Sequence, residues 1–136
     1  MLTGCATVVS PKTVSENPQA WDGKKVTITG KVGVGFTIPL TDFSVFLLEN
    51  PEGNVPVATV KTRTKDSKTN VTGEVWAFPA RGMAETTTEA INALADFFVE
   101  DLNFERRKAR EISALILTTA KRLGEGLSQF WFIIEV

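Results

Sequence analysis

Hydrophobic residues alternate with polar ones through the middle of the chain. Val26, Ile28, Val32, Val34 and Phe36 fall at even positions, with Thr27, Thr29 and Lys31 between them. A period of two gathers one set on a buried face, so a long half-buried strand is predicted from about Lys24 to Ile38. Gly30, Gly33 and Gly35 interrupt it, as where a strand bends or bulges around a small barrel. A second strand is predicted at Phe43–Glu49, closed by the turn Asn50-Pro51-Glu52-Gly53-Asn54. Val55–Thr62 is the third, with Pro56 near its start, where a ladder donor can be spared. A polar turn at Arg63–Lys68 leads to a fourth at Asn70–Phe78, and Ser128–Val136 is the fifth.

Between the last two strands the period lengthens to that of a helix. Ile91, Leu94, Ala95, Phe98 and Leu102 form one apolar stripe, preceded by a Thr86/Glu89 capping-box pattern. Ala109, Ile112, Leu115, Ile116 and Leu123 form a second, and Gly124 fits its end. Asn103 fits an N-cap between the two helices. Near the start, Ser10-Pro11 is expected to block a helix, Val14–Ala20 to form at most a helical turn, and Asn17-Pro18 to favour extended or turn geometry.

This order of elements resembles the OB-fold, a small closed five-stranded barrel. The resemblance is carried by the run from Asp22-Gly23-Lys24 to Thr29-Gly30-Lys31-Val32, by Phe46-Leu47-Leu48 before Glu52-Gly53-Asn54, and by Val71-Thr72-Gly73-Glu74-Val75. It reads like small bacterial anticodon-binding-like OB domains over roughly residues 20–80 and 128–136. The expected class is therefore mainly β with a helical insertion. The architecture is an OB-fold-like barrel of five strands, with a two-helix insertion, about residues 82–126, between the fourth and fifth. The helix usual between the third and fourth strands is missing, replaced by the turn at Arg63–Lys68. The insertion occupies the place of a loop that flanks the binding face, so that face is expected to be reshaped or covered.

The N-terminal residues Leu2-Thr3-Gly4-Cys5 resemble a bacterial lipobox. Small residues suit a peptidase groove, and the thiol of Cys5 would carry the lipid; several acyl chains anchor a soluble domain firmly. The basic and apolar regions of a signal peptide are missing, which places Met1 inside a longer natural leader. The other reading is that Cys5 is a free thiol at a frayed terminus. The resemblance implies residues 1–20 as lipobox remnant and tether, and residues 21–136 as a single OB-fold-like domain. Ala6 after the cysteine, rather than aspartate, implies an outer-membrane address facing the periplasm.

Composition narrows the chemistry. The 136 residues contain no histidine and one cysteine, which removes Ser-His-Asp and Cys-His catalysis, internal disulfides and CxxC metal sites. A net charge of −1 argues against an overall basic nucleic-acid binder. No catalytic residue, metal site or cofactor is assigned.

Two sets of residues are candidates for binding. Inward positions are expected to be Val26, Ile28, Val32, Val45, Leu47, Val57, Val71, Val75, Phe130, Phe132 and Ile134. The opposite parity gives Phe46, Leu48, Trp76, Phe78, Trp131 and Ile133, and a small barrel cannot hold both sets. Trp76, Phe78 and Trp131 flank the insertion, so helical coverage is expected there; Phe46 is the candidate for an exposed ligand contact. Lys61, Arg63, Lys65 and Lys68, offset by Asp66, form a basic turn, with alternate spacing placing the first three on one side. Such a turn suits phosphates or an anionic glycan, or is simply solvated. Arg106, Arg107, Lys108 and Arg110 form a second, more dispersed basic cluster.

The resulting expectation is a non-enzymatic, envelope-tethered OB-fold binding module. Its partners would be the membrane, through lipidated Cys5, and single-stranded nucleic acid or an anionic glycan. The alternative is a structural lipoprotein whose helical insertion docks a protein partner.

Overall fold

The computed structural model describes residues 6–39, 41–77, 88–123 and 130–135. Cys5 and the residues before it, Phe78, Thr86 and Gly124 lie outside that set. The chain opens with a short strand β1 (Thr7–Val8), then helices α1 (Pro11–Glu16) and α2 (Pro18–Trp21). Strands β2 (Lys25–Thr37), β3 (Ser44–Asn50), β4 (Gly53–Thr59) and β5 (Lys68–Ala77) follow. Helices α3 (Thr88–Glu100) and α4 (Arg106–Leu123) precede the last strand, β6 (Trp131–Glu135). Neighbours run β2-β3-β4-β6-β5 and back to β2, closing a five-stranded barrel, with β1 added beside β2. The pairs within the barrel are antiparallel except β4 with β6. The fold is mainly β, an OB-fold-like barrel with a two-helix insertion between its fourth and fifth strands.

Closure depends on β2 serving two neighbours in turn. Its first half, Lys25–Lys31, pairs with β5, and its second, from Lys31 to Thr37, pairs with β3. The exchange occurs at Gly30, where a Cβ would sit 2.7 Å from the Glu49 carbonyl oxygen. Only glycine lets the two backbones cross so closely. The register then shifts between Val32 and Gly35, a bulge at the predicted glycines.

Two hydrophobic layers result. Val26, Ile28, Val32, Phe46, Leu48, Val57, Val71, Val75, Trp131 and Ile133 fill the barrel. Val45, Ala58, Trp76, Phe130, Phe132 and Ile134 face outward and pack against α3 and α4. The expected inward set is therefore correct on β2, β4 and β5 and reversed on β3 and β6. Directly paired residues share a face of a sheet. Val32 opposite Leu48, and Val75 opposite Ile133, pull the other parity inward. Phe46 goes with Leu48 and is buried, so its candidacy as an exposed ligand contact is corrected.

The segment expected to be a tether packs on the barrel from Thr7 onward. Ser10-Pro11 starts a helix rather than blocking one. The Ser10 hydroxyl accepts from the Thr13 N–H at 3.3 Å, and proline at the first helical position gives up only a donor that has no partner in the helix. Val14 of α1 is fully buried in the barrel-filling layer, and the Trp131 indole N–H donates to the Ser15 hydroxyl at 3.0 Å. Helix α1 thus closes the mouth of the barrel at the starts of β4 and β6.

The insertion is a two-helix cover. Leu94, Ala95 and Phe98 of the first stripe and Ile112 and Ile116 of the second are buried as expected, whereas Leu115 is exposed and Leu117 is buried. Asn103 is not an N-cap; it adopts φ 60°, and the Phe104 N–H then reaches back to the Phe98 carbonyl at 3.0 Å. Phe98 lies edge-on to Phe43 at 5.1 Å and stacks on Phe104 at 5.5 Å, tying the barrel to both helices. Truncating so central a ring leaves a cavity as well as losing transfer energy. Phe98→Ala should lower stability by about 3–5 kcal/mol in one cooperative denaturant transition. A separate melting step for the helices would show that they do not fold with the barrel.

Candidate functional site

The opposite mouth of the barrel, at the ends of β4 and β6, carries the polar chemistry. Among the described residues no helix covers it; the chain runs from Thr59 through a short turn to Lys68. Arg63 turns inward from that turn. Its Nη1 donates to Glu135 Oε1 at 2.5 Å and its Nη2 to Oε2 at 2.8 Å, a bidentate pair on a side chain 2% exposed. Nε donates to the Thr69 hydroxyl at 2.9 Å, and the guanidinium lies 5.5 Å above the Phe46 ring. Thr59 donates its hydroxyl to Glu135 at 2.8 Å, and the Thr72 N–H donates at 3.3 Å. Burial pushes the Glu135 carboxyl up, but the Arg63 and Thr59 hydrogen bonds, the Arg63 charge and the Thr72 N–H outweigh it. The carboxyl ends below its ordinary value of 4.5.

This placement corrects the reading of Arg63 as one of three cations on one side of the turn. Side chains alternate, but Arg63 bonds the buried Glu135 carboxylate directly, whereas Lys61 only reaches its edge from an exposed position. Arg63 is a plug for the barrel mouth. Lys61 is exposed, with its Nζ 3.9 Å from Glu135, and Lys65 is exposed. Lys68 is exposed at the start of β5, opposite Lys31.

Above the plug lies a groove of about 470 Å³. One wall is the second half of β2, with Gly33, Gly35, Phe36 and Thr37; the other is the turn from Val60 to Lys65; Phe46 and Arg63 form part of its floor. It adjoins an apolar trough of about 780 Å³ lined by Ile38, Phe43, Val60, Leu102, Phe104 and Lys108. The groove's exposed aromatic is Phe36, 45% exposed, as is Val34. Both had been expected on the buried face. The bulge after Val32 reverses the parity, so that Phe36 pairs with the outward-facing Val45. The three glycines were the available signal.

The outward faces of β3, β4 and β6 lie under α3 and α4. The basic cluster of α4 is partly paired: Arg106 bonds Asp96, and Arg107 lies 3.7 Å from Glu111. Among the described residues no group of three His, Cys, Asp or Glu side chains is placed to hold a metal ion, and no helix is long and apolar enough to cross a membrane.

No family model and no curated protein matches the chain. Function must be read from the groove.

The plug gives a test of its own. Arg63→Ala leaves a buried carboxylate without its bidentate partner, with only the exposed Lys61 at 3.9 Å beside it, and should cost about 3 kcal/mol of stability at neutral pH. Because the folded pKa of Glu135 lies below its unfolded value, its contribution is complete above the unfolded pKa. It is lost as pH falls through the folded one. Glu135→Gln should therefore show a shallower fall in stability than the parent between about pH 5 and pH 2. Equal slopes in denaturant titrations would mean that the pair is not formed.

Proposed function

We propose that the chain is a non-enzymatic binding module, held at the bacterial cell envelope by lipid on Cys5, that takes an anionic oligomer in the groove above Arg63. The observation that carries this reading is the half-exposed ring of Phe36 facing Lys61 and Lys65 across an open groove. Arg63 and Glu135 neutralise each other beneath it. Asp42 is the one acid among the residues that line it, so the two lysines give it a net positive field. An aromatic face with flanking cations suits a chain of repeating anionic units, which stacks or packs on the ring while its charges meet the lysines. The rival reading, a protein docked by the helical insertion, has less support. The helices turn Leu94, Phe98, Ile112 and Ile116 toward the barrel, and Leu115 is the large apolar side chain that α4 leaves exposed.

Titration with three probes tests the module: oligothymidylate, polygalacturonate and polyglutamate. At least one should bind at low salt and weaken as salt rises. Lys61→Ala with Lys65→Ala should flatten that dependence, by about 0.7 in log–log slope per lost contact to a single strand. Phe36→Ala should weaken binding without changing the slope. If the parent binds none of the three at low salt, the reading fails.

The anchor is tested separately. Expressed behind a lipoprotein signal peptide, the protein should fractionate with membranes, and Cys5→Ser should release it. Unchanged membrane association of that variant would remove the lipid from the proposal.

A further inference from the structure

We infer that the anionic oligomer is an acidic polypeptide in extended conformation, which adds as a strand to the open edge of β2 at Gly33–Thr37. This rests on the reading of the groove as the binding site and names what binds there. The Ile38 N–H bonds the Phe43 carbonyl at 2.9 Å, one bond of a hydrogen-bonded antiparallel pair; the Phe43 N–H goes instead to the Thr41 hydroxyl at 3.0 Å. Pairs of this kind alternate along a ladder, so Phe36 also turns its backbone groups toward β3. Gly35 and Thr37 turn theirs the other way. On that side β5 pairs no further than Lys31, and the turn ahead of it makes the last bonds to β2: Val32 N–H to the Ser67 carbonyl at 2.9 Å and Asp66 N–H to the Val32 carbonyl at 2.7 Å. Among the described residues no backbone partner meets Gly35 or Thr37 there.

The other open stretch of β2 is treated differently. Where β3 does not reach, β1 pairs at Thr7 and Val8 with Val26 and Thr27, and the Val9 N–H bonds the Thr27 carbonyl at 3.1 Å. The chain covers one edge of its longest strand and leaves the other facing a groove. Across that groove stand Lys61 and Lys65. A nucleic acid or glycan has no regular row of N–H and C=O groups to match this edge. An extended peptide has one, at the spacing of the ladder, and acidic side chains on it meet the lysines.

The probe is a dye-labelled, end-capped octapeptide of alternating valine and glutamate. Binding is followed by fluorescence anisotropy and by amide hydrogen exchange. The Gly35 and Thr37 amides should exchange freely in the parent protein and slow at least tenfold when the peptide saturates it, while the Phe36 amide changes little. N-methylation of alternate residues in one register should weaken binding at least tenfold, and in the other register should not. Thr37→Pro, which removes an outward donor and no bond to β3, should weaken the parent peptide and abolish the difference between the two methylated ones. If both methylated peptides bind like the parent, attraction is by charge alone; strand addition is then overturned while the anionic-oligomer reading stands. If the Gly35 and Thr37 amides are already slow in the free protein, this chain or a second copy holds the edge, and the inference fails. Tighter binding of an eight-residue oligothymidylate that slows the same amides would also overturn it. Absence of binding by any polyanion would sink both readings together.

Discussion

The structure depends on strands that are apolar on both faces. Val45, Phe46 and Leu48 of β3, Val57 and Ala58 of β4, and all of Trp131–Ile134 in β6 are buried, although adjacent residues of a strand point opposite ways. Such strands are stable only between two apolar layers. Barrel closure supplies one; α3 and α4 supply the other. The helical insertion is thus a requirement of the strand sequences, not an accessory. It occupies the outer surface of β3, β4 and β6.

The two mouths are closed by unlike means. At one, α1 brings Val14 against the interior and Ser15 to the Trp131 indole, an apolar plug with a single polar tie. At the other, a polar plug stands where the fold usually has a helix. A buried ion pair gives less net stability than an apolar plug of equal volume, because both charges lose their hydration. Its effect is on shape. A guanidinium held by a carboxylate, a hydroxyl and an aromatic face has few alternative positions, so the floor of the groove is fixed. A helix there would have filled the space that the groove occupies.

Periodicity made the elements legible: five barrel strands, two helices, and a bend at the glycines of β2. What it could not supply was the pairing. In Phe130–Ile134 five consecutive residues are apolar, so alternation carries no phase, and only contact with Val75 and Val57 decides which side faces in. Arg63 and Glu135 are 72 positions apart, so a basic turn could not be told from a plug before the strands were closed. Phe46 and Phe36 exchanged roles for the same reason. Both errors on the site are errors of register, and one shift between Val32 and Gly35 accounts for the exposure of Phe36. At Ser10-Pro11 the miss was local: proline was read as a helix breaker, although at the first helical position it is a helix starter.

An exposed strand edge is a hazard, because any extended chain can pair with it, including another copy of the same protein. Natural sheets suppress this with bulges and with charge, and both are present here. The shift between Val32 and Gly35 bends the edge, and Lys61 and Lys65 stand across from it. These devices are not neutral with respect to partner. Lysines beside an edge repel the same edge of a second copy, which brings lysines of its own, and attract a strand whose side chains are acidic. A bulge rejects a long flat strand and accepts a short one. Lysines beside the edge and a bulge within it thus disfavour pairing with a second copy, and under the proposal above the same two features favour a short acidic strand.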